Sequence, residues 1–388
     1  MGEKFIGLSV PNLKGNELKY VSNAIETEWV STAGPYVTEF EKKLAQYVGT
    51  PMAVSCQSGT AGLHTALLLC GVGGQDMIIV PTLTFIAAVN PVMYLGAAPV
   101  FMDCDDSLCM DPDKLRKFCQ EECELTDGVL RHKHSGRRVP AMIVVHVFGN
   151  MADMEKLMDI ANEFHIKVIE DATEALGTKY ICGRYAEKFA GTIGDVGVYS
   201  FNGNKIITTG GGGMIVSENQ ELLKRAKHLT TQAKSDEENF FHDEIGYNYR
   251  MTNLQAAMGL AQLEQLEAFI STKRENYRHY QERLVSVPGL SVLSFRDGIR
   301  SNYWFYSLYV DEPYSKEKTE LISALKTKRI QTRPIWGLIH EQRPYLGCLT
   351  YQIEKAKRYW QHVVNLPCST SLTWQDVETV ISAIMDEK

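Results

Sequence analysis

Three side chains that could do chemistry together stand where short apolar runs end. Asp171 closes one run, and Ser200 closes another and lies five positions before Lys205. Apart from Tyr199, Lys205 is the only ionisable residue between 198 and 213. Partial burial lowers the pKa of a lysine and leaves the neutral amine that Schiff-base chemistry requires. A carboxylate such as Asp171 can pair with a protonated ring nitrogen and keep that ring electron-withdrawing. The set predicts a site for a phosphorylated, basic heteroaromatic cofactor.

A turn at 55–61 offers a place for the phosphate. Gly59 allows backbone amides to approach an anion, Thr60 adds a hydroxyl, and a helix predicted to begin here presents free N–H groups. An ordinary helix-capping turn has the same composition, and the turn alone favours that simpler interpretation. The order of phosphate turn, strand-end acid, hydroxyl and lysine is the arrangement that a pyridoxal phosphate site requires.

Alternating elements are predicted to position these residues. Strands are predicted at 52–56, 77–80, 99–103, 141–147, 166–170, 196–200 and 213–217, and helices at 61–70, 85–94 and 153–164. This alternation indicates an α/β fold in which a mostly parallel, mixed sheet is covered on both faces. Acids at the carboxyl ends of such strands lie where open α/β sheets bind ligands.

The last third of the chain has a different pattern. One long helical pattern runs from 253 to about 284 and is expected to bridge two domains. A strand at 304–310 and helices at 316–328 and 374–385 follow it, which indicates a smaller α+β domain. We therefore predict a large cofactor-binding domain over 1–260 and a small C-terminal domain over 261–388.

Composition excludes several classes of protein. The net charge of −7 gives no electrostatic footprint for nucleic acid or anionic lipid. No apolar run reaches the length of a bilayer, and the first residues lack the basic-then-apolar pattern of a secretory signal. Nine scattered cysteines are typical of reduced thiols. We expect a cytoplasmic protein without nucleic-acid or membrane partners.

A zinc site is the one metal alternative. Cys119 and Cys123 are four apart in an apparent helix and would share a face, and His132 and His134 follow. Four basic residues crowd the same stretch and would oppose a cation. They are Arg131, Lys133, Arg137 and Arg138. A surface excursion is the favoured interpretation, and no metal is predicted.

Longer segments resemble the sugar aminotransferases of the DegT/StrS type, which have the fold-type-I aspartate aminotransferase architecture. The resemblance covers nearly the whole chain. The matching segments are Ser-Gly-Thr-Ala at 58–61, Pro-Thr-Leu-Thr-Phe at 81–85, Glu-Asp-Ala-Thr-Glu-Ala-Leu-Gly at 170–177, Gly-Asp at 194–195, the stretch 200–213, and Gly-Tyr-Asn-Tyr-Arg-Met-Thr-Asn at 246–253.

The resemblance implies a role for each matched position. Lys205 corresponds to the Schiff-base lysine and proton carrier, and Asp171 to the partner of the pyridine nitrogen. The implied phosphate ligands are Gly59, Thr60 and Ser200. Phe85 would stack on the ring, a role that its flat apolar face suits, although it could instead be a core residue at the start of a helix. Asn253 would reach the phosphate of a neighbouring subunit, which implies a homodimer with two shared sites.

Glu174 departs from many relatives, which carry Gln or His at this cofactor-contacting position. A carboxylate cannot donate a hydrogen bond to the phenolate oxygen of the cofactor unless it is protonated. Glu174 is therefore expected either to contact the cofactor differently or to have a raised pKa. A subgroup with Asn-Gly-Asn before the lysine and Thr-Arg-Pro near the C-terminus shares this Glu, and this chain has both motifs, at 202–204 and 332–334.

Members of that subgroup act on nucleotide-linked 4-keto-6-deoxy sugars, among them the N-acetylated UDP substrates of the bacillosamine and legionaminic acid routes. The resemblance thus implies transfer of an amino group from L-glutamate to C4 of such a sugar. UDP-2-acetamido-4-keto-2,4,6-trideoxyhexose is the favoured substrate, and a 4-amino sugar nucleotide and 2-oxoglutarate are the products. Such a reaction belongs to amino-sugar and glycan biosynthesis. Amination of GDP-4-keto-6-deoxymannose, as in perosamine synthesis, is the alternative.

Substrate contacts are harder to assign. Arg250, Arg333 and His340 are candidates for holding a diphosphate or carboxylate, and surface salt bridging is an equally favoured interpretation. Trp304 could face a sugar or base, but a core position in a strand is favoured.

A dehydratase-like relative would lack Lys205, and a nicotinamide enzyme would need Gly-x-Gly-x-x-Gly after the first strand. A catalytically silent interaction protein on the same scaffold remains the third rival.

Overall fold

Residues 4–236 and 238–387 are described by the computed structural model. Their α-helices are α1 (Glu17–Glu26), α2 (Pro35–Val48), α3 (Gly59–Leu69), α4 (Asn90–Tyr94), α5 (Pro112–Glu121), α6 (Met154–Phe164), α7 (Gln220–Thr230), α8 (Asn253–Leu263), α9 (Leu266–Leu284), α10 (Lys318–Thr327), α11 (Lys355–His362) and α12 (Trp374–Met385). Their strands are β1 (Ala53–Cys56), β2 (Met77–Pro81), β3 (Ala98–Met102), β4 (Cys123–Thr126), β5 (Val129–His132), β6 (Ala141–Val145), β7 (Lys167–Asp171), β8 (Lys179–Tyr180), β9 (Val196–Ser200), β10 (Gly213–Val216), β11 (Lys234–Asp236), β12 (Phe241–His242), β13 (Leu290–Val292), β14 (Ile299–Arg300), β15 (Tyr306–Val310), β16 (Arg333–Pro334), β17 (Leu349–Tyr351) and β18 (Val363–Leu366).

An eight-stranded sheet in the order β1-β10-β9-β7-β6-β2-β3-β17 forms the centre of the fold. All neighbours from β9 to β17 pair in parallel, and β10 pairs antiparallel with both β9 and β1. Strands β1, β2 and β6 are buried along their whole length, as expected where helices cover both faces of a parallel sheet. The predicted α/β class with a mostly parallel, mixed sheet is confirmed.

The register of this sheet gathers three predicted site elements at one edge. Gly213 at the start of β10 pairs with Cys56 at the end of β1 and with Ser200 at the end of β9. Asp171 ends β7, which runs parallel to β9. The carboxyl ends of β1, β7 and β9 therefore open in the same direction, where such sheets bind ligands.

A second sheet, in the order β13-β15-β18-β16, is antiparallel throughout and comes entirely from residues beyond 289. Strand β17 from the same part of the chain instead joins the large sheet beside β3. The C-terminal third thus forms an α+β unit that also extends the central sheet. The domain division at residue 260 stays a prediction.

Two predicted elements are corrected. The single helix expected over 253–284 is two helices, α8 and α9, because the Gln265 backbone departs from helical geometry with φ −106° and ψ −3°, and its N–H bonds to the Gln262 carbonyl three residues earlier. The strand expected from 304 begins only at Tyr306, because the N–H groups of Trp304 and Phe305 bond to Asn302 Oδ1 and the Phe148 carbonyl rather than to a neighbouring strand.

The helical position expected for Cys123 is also corrected. Cys119 lies in α5 but Cys123 opens β4, so the two thiols share no helix face. Among the described residues, the group of His, Cys, Asp and Glu side chains with potential ligand atoms within 4.8 Å of one another is His228, Asp243 and Glu244, which includes none of the four residues considered for zinc. The described helices include none with the length and apolar character needed to cross a membrane.

Candidate active site

A pocket of about 340 Å³ opens at the carboxyl edge of the central sheet, within the size range of cofactor sites. The predicted cofactor residues that line it are Gly59, Thr60, Phe85, Asp171, Glu174, Ser200 and Lys205. These residues come from four separate segments of the chain. The structure therefore brings together seven of the eight predicted positions, and Asn253 is the exception.

One end of the pocket, where the sequence predicts the phosphate, is built around Gly59. Ser58 caps α3 by accepting a hydrogen bond from the Ala61 N–H at 3.1 Å, and Gly59 and Thr60 form the first turn of the helix. A Cβ at Gly59 would lie 2.9 Å from Thr173 Cγ2 and 3.0 Å from Ser200 Cβ. The turn, the residues after β7 and the end of β9 thus converge on a space that no side chain at 59 could share. The free N–H groups at the start of α3 and the hydroxyls of Thr60, Thr173 and Ser200 suit an anion.

Asp171 forms the deep wall of the pocket and is 3% exposed. Its Oδ1 accepts a hydrogen bond from the Thr173 N–H at 3.1 Å. Burial raises the pKa of this carboxyl, and the bonds from Thr173 and the charge of Lys205 oppose that shift only in part. A cation placed against Asp171 would be strongly favoured, because it would relieve the cost of burying the charge.

Lys205 enters the pocket between an aromatic ring and a carboxylate. Its Nζ lies 4.2 Å from the centroid of the Trp304 ring and 3.7 Å from Glu174 Oε1. Burial lowers the pKa of the amine, and this effect outweighs the attraction of Glu174 and Asp171. At a given pH, a larger fraction of Lys205 is therefore in the neutral amine form than for an exposed lysine.

Glu174 is held from the opposite side by backbone. Its Oε2 accepts a hydrogen bond from the Phe148 N–H at 2.8 Å. Phe148 has a left-handed φ of 57°, which turns this N–H toward the carboxylate. Burial raises the pKa of Glu174 to about 7, against the opposing effects of Lys205 and the Phe148 bond. Of the two expectations for Glu174, this favours the raised pKa.

A buried carboxylate–imidazole pair behind the pocket was not predicted from the sequence. Glu170 accepts hydrogen bonds from His146 Nε2 at 2.8 Å and from three backbone N–H groups within 191–194. His146 Nδ1 accepts from the Ala152 N–H at 3.2 Å, so the proton is on Nε2. Burial would raise the pKa of Glu170, but these donors hold it below its ordinary value. The pair fixes the strand that ends in Asp171.

Aromatic side chains form the open side of the pocket. Phe85 remains 54% exposed in this wall, as a face available for a ring would be. Trp304 and Trp336 line the pocket as well, although the sequence pattern favoured a strand-core position for the first. Trp336 packs against Phe148 at 4.5 Å between ring centroids. No local motif singled out Trp336.

Asn253 lies outside the pocket and is fully buried in its own chain. Its Oδ1 accepts hydrogen bonds from the N–H groups of Tyr36 at 2.9 Å and Val37 at 3.3 Å, at the start of α2. Its Nδ2 donates to the Trp29 carbonyl at 2.7 Å. The amide is thus occupied within one subunit, and the role assigned to it at a neighbouring phosphate stays a prediction.

The three candidate substrate residues do not line the pocket. Arg250 lies beside the phosphate turn, where its carbonyl accepts a hydrogen bond from Gln57 Nε2 at 2.6 Å. Arg333 is exposed in β16, and His340 Nδ1 lies 2.6 Å from Thr82 Oγ1. Their substrate contacts stay predictions.

The residues present fit pyridoxal phosphate. The pocket offers an anion cradle at Gly59, a buried carboxylate at Asp171 for a ring cation, and a lysine amine at Lys205 in the same cavity. Phe85 supplies an exposed aromatic face. Each chemical group of the cofactor thus has a matching group in the protein.

Comparison with known proteins places the chain in a family. Residues 11–385 match the model of the DegT/DnrJ/EryC1/StrS aminotransferase family. The chain is 34% identical to the GDP-perosamine synthase of Caulobacter vibrioides, over 98% of this chain and 97% of that protein. It is 35% identical to the GDP-perosamine synthase of Escherichia coli O157:H7, over 96% and 92%. The crystal structure of the aminotransferase TlmJ from Streptoalloteichus hindustanus superimposes with a TM-score of 0.87, at 27% identity and 99% coverage of both chains.

These matches confirm the resemblance, the fold-type-I architecture and the cofactor predicted from the sequence. Fold, pocket and family agree over nearly the whole chain. The chain belongs to the DegT/DnrJ/EryC1/StrS aminotransferase family and is a pyridoxal-phosphate-dependent aminotransferase.

Proposed function

We propose that the protein transfers the amino group of L-glutamate to C4 of a nucleotide-linked 4-keto-6-deoxy sugar. The observation that carries this proposal is the convergence of the Gly59 cradle, Asp171 and Lys205 in one pocket of a chain that belongs to this family. A catalytically silent interaction protein would have no need for a buried carboxylate that favours a bound cation, Asp171, beside the buried amine of Lys205.

The residues of the chain divide the work. Bound pyridoxal phosphate supplies an aldehyde carbon and an electron-withdrawing ring. The Gly59 turn and Ser200 would bind its phosphate, and Asp171 would keep its ring nitrogen protonated. Lys205 Nζ accepts a proton from the amino donor and returns it at a neighbouring carbon, first as base and then as acid. Trp304 helps to exclude water from this amine, whose side chain is 12% exposed.

The choice of sugar nucleotide rests on the relatives. We expected an N-acetylated UDP sugar, with GDP-4-keto-6-deoxymannose as the alternative. Two relatives at 34% and 35% identity are GDP-perosamine synthases, which favours the GDP-linked substrate. We therefore propose GDP-4-keto-6-deoxymannose first and UDP-2-acetamido-4-keto-2,4,6-trideoxyhexose second.

A substrate panel tests both levels of the proposal. The purified protein is incubated with L-glutamate and GDP-, UDP- or dTDP-linked 4-keto sugars, and 2-oxoglutarate and the amino sugar are measured. Lys205→Ala is the matched control and should form neither product. Turnover of the UDP sugar alone would reverse the ranking. Cofactor binding without turnover of any member would refute the sugar assignment and leave the cofactor assignment intact.

We also propose a homodimer with shared sites. The asparagine predicted to cross the interface, Asn253, is occupied within its own chain, whereas Asn248 of the same motif is exposed. Asn248 is therefore the side chain of this segment that is free to reach a second copy. Mixing Asn248→Ala protein with Lys205→Ala protein distinguishes active sites shared between two subunits from active sites contained within one subunit. Shared sites predict that one site of a mixed dimer carries both changes and the other neither, so activity reappears in the mixture.

A further inference from the structure

The indole of Trp304 faces the reacting atom of Lys205 more directly than the sequence indicated. Lys205 Nζ lies 4.2 Å above the ring centroid, a distance at which an ammonium is attracted to the negative face of an indole. Trp304 is 2% exposed and precedes β15 rather than belonging to it. The ring is therefore presented to the pocket by a loop that needs its own support.

Three hydrogen bonds hold Trp304 in this position. Its Nε1–H donates to the Asn204 carbonyl at 2.8 Å, which ties the ring to the residue just before Lys205. Its backbone N–H donates to Asn302 Oδ1 at 3.0 Å, and its carbonyl accepts from Lys273 Nζ at 3.1 Å. Both backbone groups and the ring nitrogen are thus fixed.

The support from Lys273 is costly and specific. This lysine is 2% exposed, and the acceptors of its amine are the carbonyls of Trp304 and Cys368. Burial lowers the pKa of its amine. A buried lysine whose amine donates to two carbonyls stabilises one loop geometry. The desolvation of its charged form costs free energy that offsets part of this stabilisation.

Asn302 couples this loop to Glu174. Its Nδ2 donates to the Glu174 carbonyl at 2.9 Å and to the Leu176 carbonyl at 2.9 Å, while its Oδ1 holds Trp304. The indole face and the Glu174 carboxylate are therefore fixed relative to each other. Lys205 Nζ lies between them, 3.7 Å from Glu174 Oε1.

We propose that Trp304 is a positioning residue for amino transfer, whose indole face, together with Glu174, holds the Lys205 ammonium whenever that amine is not attached to the cofactor. The charged groups facing Lys205 are Glu174 and Asp171. The ring stabilises the proton on Nζ without adding a negative charge to the pocket. The inference rests on the role of Lys205 and not on which sugar is bound.

A fluorine label on tryptophan reports this contact without changing the shape of the site. The full-length holoenzyme is prepared with 5-fluorotryptophan and converted to its pyridoxamine phosphate form, in which Lys205 is a free amine. The ¹⁹F resonance of Trp304, assigned by its loss in Trp304→Phe, should shift with pH as Lys205 titrates. The shift should vanish in Lys205→Ala and persist in Glu174→Gln. A resonance that does not titrate, or titrates equally in Lys205→Ala, would overturn the proposal.

Substitutions give the sign and size of the effect. The pKa of Lys205 is measured from the pH dependence of its acetylation, followed by mass spectrometry of the Lys205 peptide. A cation–π contact in a desolvated site predicts that Trp304→Leu lowers this pKa by about one unit, a roughly tenfold change in protonation. Trp304→Phe, which keeps an aromatic face, should recover most of the loss.

Trp336→Leu is the matched control, because Trp336 lines the same pocket and packs on Phe148. It should leave the pKa of Lys205 unchanged. An unchanged pKa in Trp304→Leu, or a rise, would mean that the ring only excludes water, and the proposal would fail. If Trp304→Leu does not fold, the fluorine titration and Trp304→Phe still decide.

Discussion

The buried carboxyl of Glu174 should make the stability of the protein depend on pH. Burial raises its pKa in the folded chain from the ordinary value of 4.5 to about 7. The folded state therefore binds a proton more tightly than the unfolded state. This contribution to stability is complete below pH 4.5 and is lost as the pH rises toward 7. Glu174→Gln removes the titration, and its amide oxygen can still accept the Phe148 N–H.

The size of the effect follows from the shift. The difference between 7 and 4.5 is 2.5 pH units, and each unit corresponds to about 1.4 kcal/mol. Glu174→Gln should therefore gain about 3 kcal/mol in free energy of unfolding over the wild type between pH 4.5 and 7. Above the folded pKa the gain should level off, because both states of the wild type are then ionised.

Urea unfolding without added cofactor, followed by circular dichroism at pH 5, 6, 7 and 8, measures this difference by linear extrapolation. Glu282→Gln, on an exposed position of α9, is the matched control for the loss of one carboxyl group. A gain that decreases as the pH rises would refute the reasoning. It would mean that the Lys205 ammonium keeps Glu174 ionised in the folded chain, so that the ion pair outweighs burial.

Two further substitutions test the supports of the pocket. Gly59→Ala places a methyl group 2.9 Å from Thr173 Cγ2 and should weaken cofactor binding roughly tenfold, about 1.4 kcal/mol, in an absorbance titration. Gly73→Ala, whose added carbon meets nothing within 4 Å, should leave the dissociation constant unchanged. His146→Ala removes the Nε2–H that Glu170 accepts at 2.8 Å and should cost about 3 kcal/mol of stability in urea at pH 7. Unaltered unfolding of His146→Ala would show that Glu170 has no need of this donor.

The sequence was sufficient to predict that Gly59, Asp171 and Ser200 lie at one edge of the sheet. Asp171 and Ser200 each end an apolar run, and Gly59 follows one, so a parallel sheet was expected to bring them to one edge. The structure places all three in one pocket. This part was predictable because the direction of parallel strands, rather than side-chain packing, decides which residues meet.

The position of Trp304 in the pocket could not be predicted from the local sequence pattern. The aromatic run at 303–306 has the composition of a strand, yet Tyr303 turns left-handed and the strand begins later. Two of the three bonds that fix Trp304 involve distant residues, Lys273, 31 positions earlier, and Asn204, 100 positions earlier. Hydrophobic periodicity contains no information about such partners. The position of Trp304 over Lys205 is determined by tertiary contacts.

Burial shifts all three ionisable groups of the pocket toward their neutral forms. It raises the pKa values of Asp171 and Glu174 and lowers that of Lys205. For Lys205 and Glu174 the shifts bring the two pKa values closer together across a distance of 3.7 Å, so the two groups titrate as a coupled pair. A ring cation bound beside Asp171 would stabilise the ionised form of this carboxyl. The same desolvation thus prepares Lys205 to act as a base and makes cofactor binding reinforce the ionisation of Asp171.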